Sequence, residues 1–315
     1  MEGASIGSAF HRPATARSAP RFRSRSDASI TAISGSGVLG SLRSLLARRS
    51  NQKPDRELTP EQLRAEIVRL APWHLDVDVT PEVSTAAFLD APSDAYKSVP
   101  GEVSFISRQE YFAQLMTDVF PGGFAGREML DSACNCGGYL FWARELGAGR
   151  CFGFDVRHHW IAQARFLASH RTWSSTGIDF EVCDLYDVPD LKLKPFDVTN
   201  FKGIFYHLPD PVTGLKIAAD LTKELLILNT STMRGSGDTL VVSRESKTNV
   251  MSGVYGLKWF PTGEEVLRRT LAWCGFPHAR LTFHIHEPDR QLGRLEILAA
   301  RREETFSNFD AVRQH

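Results

Sequence analysis

From Arg127 onward, short apolar or β-branched runs alternate with segments of helical period, and this alternation constrains the fold more than any other feature. The runs predict strands at 128–133 (EMLDSA), 150–156 (RCFGFDV), 178–185 (IDFEVCDL), 196–204 (FDVTNFKGI), 224–232 (ELLILNTST), 279–287 (ARLTFHIHE) and 293–302 (GRLEILAARR). Helices are expected between each of the first five strands and at 262–275. Strands separated by helix-length connections pair in parallel, because a parallel pair needs a covering crossover. Only PDRQL separates the last two strands, which is too short for a crossover, so they are expected to form an antiparallel hairpin at the sheet edge. The expected architecture is α/β: a seven-stranded, doubly wound, Rossmann-like sheet with a terminal antiparallel hairpin and an N-terminal helical extension.

Four segments follow from this division. Residues 1–50 hold eight arginines, no lysine and two acids, Glu2 and Asp27, a net of about +6 that leaves about −6 on the remainder. Rich in Ser, Ala, Arg and Gly, this stretch lacks the apolar residues of a core and is expected to be a disordered basic tail. Its composition also fits a transit peptide, an over-extended start or a short basic amphipathic helix at VLGSLRSLLARRS. Residues 51–126 read as an N-terminal helical subdomain. In it, TPEQLRAEIVRL has Thr59 as N-cap, Pro60 at the first helical position and Leu63, Ile67 and Leu70 on one face. An extended segment follows, and SRQEYFAQLMTDVF forms a second helix ended by Pro121, Gly122 and Gly123. Residues 127–302 are the α/β domain and 303–315 a C-terminal tail.

No run approaches the roughly 18 apolar residues of a membrane span. The five cysteines, Cys134, Cys136, Cys151, Cys183 and Cys274, have no bridge-like spacing and read as reduced thiols of a cytoplasmic protein. Cys134 and Cys136 lack the second nearby pair a structural zinc site needs, and His284 and His286 read as exposed edge-strand residues, so no metal site is expected.

The first strand runs into LDSACNCGGYLFWARELGA. A dinucleotide fingerprint needs G-x-G-x-x-G so that pyrophosphate can approach the backbone, and here its first two glycine positions are Ala133 and Asn135. A nucleoside cofactor without phosphate requires only a close-packed turn of small residues. This segment resembles motif I of class I S-adenosylmethionine (SAM)-dependent methyltransferases in its D-x-G-C-N-x-G form. KGIFYHLPDPVTGLKIAADLTKELLILNTS, PWHLDVDVTPEVST and WFPTGEEVLRRTLAWCGF are similar to segments of the branch that includes the tRNA wobble-uridine (U34) methyltransferase-like and carboxymethyltransferase proteins. The likeness covers roughly residues 62–300.

The resemblance implies SAM as cofactor, with Asp131, Ser132, Ala133, Asn135 and Gly137 around its methionyl part, Asp155 on both ribose hydroxyls, and Asp184 with Leu185 at the adenine. Ala133 replaces the branch's glycine, and its β-carbon narrows the turn unless φ is negative. Lys202 is grouped with the cofactor contacts, although an acidic acceptor or plain solvent would suit it as well. Methyl transfer to an O or N nucleophile depends chiefly on placing the acceptor in line with the methyl. His207 is the candidate base and Tyr206 a candidate positioning group. Tyr255 and Trp259, in or beside an insertion at 233–258, are candidate acceptor contacts.

A SAM methyltransferase is the favoured function, with a non-catalytic SAM-binding protein as an alternative. The acidic body and sparse aromatic interleaving point to a small-molecule acceptor, such as a sugar, polyketide or lipid-linked group, ahead of tRNA, and give no sign of DNA binding. Transfer of a carboxymethyl group requires cationic and phenolic contacts to an added carboxylate, for which the sequence offers only Tyr206 and Lys202.

Overall fold

The computed structural model describes residues 57–86, 107–173, 175–247, 250–286 and 291–313. The basic segment 1–50 lies outside them.

Helix α1 (Pro60–Arg69) starts where its sequence places it. Thr59 accepts from the Gln62 amide, the Gln62 side chain accepts from the Thr59 amide, and Leu63 and Ile67 are buried. The following segment buries Trp73, whose indole donates to the Ile67 carbonyl at 2.8 Å, and forms a small ribbon of β1 (Asp78–Thr80) and β2 (Val83–Ser84). Helix α2 (Arg108–Val119) has a second capping box, Ser107 with Glu110, and buries Tyr111, Phe112, Leu115 and Met116.

The central sheet contains β3 (Met129–Ser132), β4 (Cys151–Asp155), β5 (Ile178–Val182), β6 (Phe196–Lys202), β7 (Thr222–Met233), β10 (His278–His286) and β11 (Leu292–Ala300), in the order β10-β11-β7-β6-β3-β4-β5. The first five pair in parallel, and β11 and β10 pair antiparallel, as the short last connection predicts. Helices α3 (Gly138–Glu145) and α4 (His158–His170) join α1 and α2 in one apolar layer. Helices α5 (Pro211–Asp220) and α6 (Glu265–Trp273) build the layer on the other face.

Three segments differ from the sequence reading. Between β5 and β6 there is no α-helix but a 3-10 turn, Leu185–Leu191, which contains Pro189; proline has no amide to continue an α-helical ladder. The insertion after β7 contains two strands absent from the sequence-predicted set, β8 (Leu240–Arg244) and β9 (Leu257–Pro261), which form an antiparallel ribbon. The segment read as a C-terminal tail contains a 3-10 turn and helix α7 (Ser307–Arg313). Phe306 and Phe309 are buried there, and the Asn308 amide donates to the Asp118 carbonyl of α2. Two phenylalanines spaced three apart give that segment an apolar face to bury. Among the described residues, no helix is long and apolar enough to cross a membrane.

Candidate active site

Strand order reverses at β3, where β4 and β6 flank it on either side. In an open parallel sheet such a switch point leaves a crevice at the carboxyl ends of the strands. A cavity opens there, and acids from three successive strand ends, Asp131, Asp155 and Asp184, line it.

The turn after β3 is left-handed at alternate residues, with φ of 57° at Ala133, 53° at Asn135 and 80° at Gly137. Asn135 tolerates this conformation by accepting the Cys136 amide on its own side-chain oxygen at 2.8 Å. Gly137 is required at the start of α3, because a β-carbon there would stand 2.6 Å from the Phe180 ring. Ala133 therefore carries its methyl at a positive φ, the strained arrangement.

Asp131 is buried, and its Oδ1 accepts from Asn200 at 2.7 Å. Its Oδ2 is buried without a hydrogen-bond partner among the described residues. Desolvation pushes its pKa up to about 7 against the opposing pull of Asn200 and Lys202. Asp155 accepts the Asn135 amide on Oδ2 at 3.2 Å and the Arg157 amide on Oδ1 at 3.0 Å, tying the first turn to the second strand end, while burial raises its pKa. Each of these oxygens retains a lone pair. Asp184 caps the 3-10 turn through the Tyr186 amide on Oδ1, and its Oδ2 accepts from the Tyr255 hydroxyl.

Tyr255, expected beside the acceptor, thus meets the acid expected to face adenine. Trp259 does not line the cavity, and neither do Ser132 or Gly137. Cys134 and Cys136 are buried, with their thiol pKa values raised by desolvation, that of Cys136 to about 12. His284 and His286 are half-buried rather than exposed and share a 3.0 Å contact between their Nε2 atoms.

On the β6 side lies a buried polar network. Lys202 is neither solvated nor open to the cavity alone: its Nζ is 2.8 Å from Glu296 Oε2, and both side chains are almost fully buried. Glu296 also accepts from Tyr111 at 2.8 Å and Asn229 at 3.1 Å. Burial alone would raise its pKa, but Lys202 and these donors hold it below the usual carboxylate value. Next along the cavity is the 3-10 turn Phe205–His207. His207 Nδ1 lies 2.8 Å from Oε2 of the buried Glu245, and the Gly253 amide is 3.1 Å from the same nitrogen. Burial lowers the His207 pKa, and Glu245 opposes that shift. The Tyr206 ring is 4.0 Å from that of His207, and the Arg294 guanidinium lies 5.6 Å from the Tyr206 ring.

A family model described as a methyltransferase domain matches residues 124–270. This chain therefore carries a methyltransferase domain. The sheet order and cavity position belong to its class I, SAM-dependent form. A tRNA U34 carboxymethyltransferase of Campylobacter hominis is 31% identical over 154 residues, which cover 47% of this chain and 49% of that relative. The enzyme of the same name from Ectopseudomonas mendocina is 29% identical over 160 residues, covering 49% of this chain and 46% of the relative. The chain spans about half the length of these curated relatives. The N-terminal domain of EvdMO1, crystallised in the presence of S-adenosylhomocysteine and D-fucose, has a TM-score of 0.60 at 15% identity, covering 78% of this chain and all but 2% of that one, a likeness of fold.

These relatives overturn the expectation of a small-molecule acceptor. That expectation rested on charge averaged over the whole body, whereas a polyanion responds to the local field. In the insertion of the methyltransferase domain beside the cavity, Arg234, Arg244, Lys247 and Lys258 face only two acids in sequence, Asp238 and Glu245, and Glu245 is buried.

Glu245, Glu296 and Arg294 had no place in the sequence-based site. Glu296 had a legible signal, an acid within the apolar run LEILAA, where a strand buried on both faces leaves no solvent for it. Glu245 had none, since its segment follows no motif.

Proposed function

We propose that the methyltransferase domain uses SAM to alkylate the wobble uridine (U34) of tRNA. The observation that carries the cofactor reading is the convergence of Asp131, Asp155 and Asp184 on one cavity at the switch point. The residues fit the group. The unpartnered Oδ2 of Asp131 suits an amino acid's ammonium, and the remaining lone pairs of Asp155 suit two ribose hydroxyls. When bound, the cofactor supplies an electrophilic sulfonium carbon. Asp184 and Leu185 would border the adenine, beside Tyr255, whose hydroxyl donates to Asp184. His207 faces the acceptor and takes its proton, and Tyr206 flanks it. The tRNA acceptor rests on the names of the curated relatives and is supported by the basic insertion. A tRNA substrate also accords with a cytoplasmic location.

One observation favours a carboxymethyl group as the transferred unit. Arg294 beside Tyr206 supplies the cation and phenol that an added carboxylate would need, a role in which Lys202 is compromised by its pairing with Glu296.

The test is incubation of the full chain with tRNA and either labelled SAM or its carboxylated form. Label in the anticodon loop, lost when U34 is replaced by cytidine, is the expected result. Label retained after that replacement would overturn the wobble-uridine assignment. Preference for one cofactor over the other identifies the transferred group.

A further inference from the structure

We infer that Glu245 is a positioning residue that fixes the tautomer of His207, so that Nε2 is left as a proton acceptor towards the cavity. The inference rests on the reading of His207 as the base, and it adds a residue from the β8–β9 insertion that no motif marks.

Two groups compete for His207 Nδ1. The Gly253 amide, 3.1 Å away, can only donate, and acting alone it would select the tautomer whose Nδ1 is bare and whose Nε2 carries the proton. That tautomer cannot accept a proton at Nε2. Glu245 Oε2, 2.8 Å from the same nitrogen, selects the opposite state, because a carboxylate facing a bare Nδ1 at that distance is lone pair against lone pair. Glu245 is buried, and its other oxygen, Oε1, is 3.4 Å from Lys258 Nζ on β9, which keeps a cation beside the carboxylate. The carboxylate therefore outweighs the amide and holds the hydrogen on Nδ1.

The other groups facing His207 are Tyr206 from its own turn, Lys258 from β9 and Arg157 from the β4–α4 connection; the two cations lower its pKa and Glu245 raises it. A fixed orienting carboxylate behind an imidazole is the arrangement that makes a base of the opposite nitrogen.

Glu245→Gln is the decisive variant. It keeps the shape, but its amide nitrogen can donate to Nδ1, where it would act with the Gly253 amide to move the hydrogen to Nε2. Two readouts separate this inference from the substrate assignment. Nitrogen-15 NMR of the full chain without substrate should show His207 protonated at Nδ1 and bare at Nε2, with the pattern reversed in Glu245→Gln. A wild-type His207 protonated at Nε2 would overturn the inference whatever the substrate.

With tRNA and SAM, Glu245→Gln should lower kcat on the order of 10²-fold with KM for SAM unchanged. Its acid limb should also move to lower pH, because removing the carboxylate removes the group that raises the imidazole pKa. Glu245→Asp, which restores the charge at shorter reach, should recover part of the rate. A merely structural role would lower the rate without moving the limb, and that result would overturn the assignment. The expected NMR pattern in a chain inert towards tRNA would support the pair and defeat the substrate reading alone.

Discussion

The two sides of the cavity are built differently. On the β3–β5 side, each acid stands at or near its own strand's end, and backbone amides of nearby turns hold two of them, Asp155 through Asn135 and Arg157 and Asp184 through Tyr186, while the side chains of Asn200 and Tyr255 reach Asp131 and Asp184 from 69 and 71 residues on. On the β6 side the partners are brought from afar, Glu245 lying 38 residues beyond His207 and Tyr111 lying 185 residues before Glu296. The first side is preorganised by backbone geometry and the second by buried charge. Loss of a partner should therefore be felt chiefly as affinity on the first and as stability or rate on the second.

The harshest test of that division is Lys202→Met. It leaves Glu296 as a buried charge deprived of its counter-ion, and breaking such a pair costs about 3–5 kcal/mol. Denaturant unfolding should show that loss. The double variant Lys202→Met with Glu296→Gln should recover most of it, since replacing both members of a buried pair removes the uncompensated charge. A single variant as stable as the wild type would mean that the network is not held by charge.

His207→Ala should come next in size. It should cut the rate of alkyl transfer on the order of 10²-fold while leaving SAM affinity unchanged, as measured by single-turnover kinetics and titration calorimetry. A parallel fall in SAM affinity would assign His207 to the cofactor side and dissolve the contrast between the two.

On that side, Asp155→Ala should weaken SAM binding by about 2 kcal/mol, because it removes charge-assisted hydrogen bonds and leaves the Asn135 and Arg157 amides without their acceptor. Calorimetric titration of the folded variant checks this, and unchanged affinity would remove Asp155 from the site.

The contrast also explains what could be read in advance. Strand positions, the parallel core, the terminal hairpin and the acids at the strand ends were legible because each is written in local periodicity or in a motif within one turn. The β5–β6 connection was misread because Pro189 breaks a segment whose flanking leucines look helical. The setting of Lys202 was illegible for a different reason. A lysine in a strand looks the same in sequence whether it meets solvent or a carboxylate, and its partner comes from a strand inserted into the sheet order much later in the chain. Tyr255 was placed in the correct insertion, but its contact depends on how the β8–β9 ribbon folds back over Asp184.

The smallest effect probes the turn itself. Ala133 adopts φ of 57°, a conformation that costs a residue with a β-carbon about 1–2 kcal/mol. Ala133→Gly relieves that strain but gives back about 0.5–1 kcal/mol in unfolded-chain entropy. It also removes a methyl packed at the edge of the core, so a net stabilisation below about 1 kcal/mol is expected. For a domain of this size that is a rise in Tm of about 1–3 °C, measurable by calorimetry. SAM affinity should hold or improve, because the same turn would meet the cofactor without the methyl. A lower Tm would show that packing of the Ala133 methyl outweighs its backbone strain, and that even the locally specified side of the cavity depends on contacts across the core.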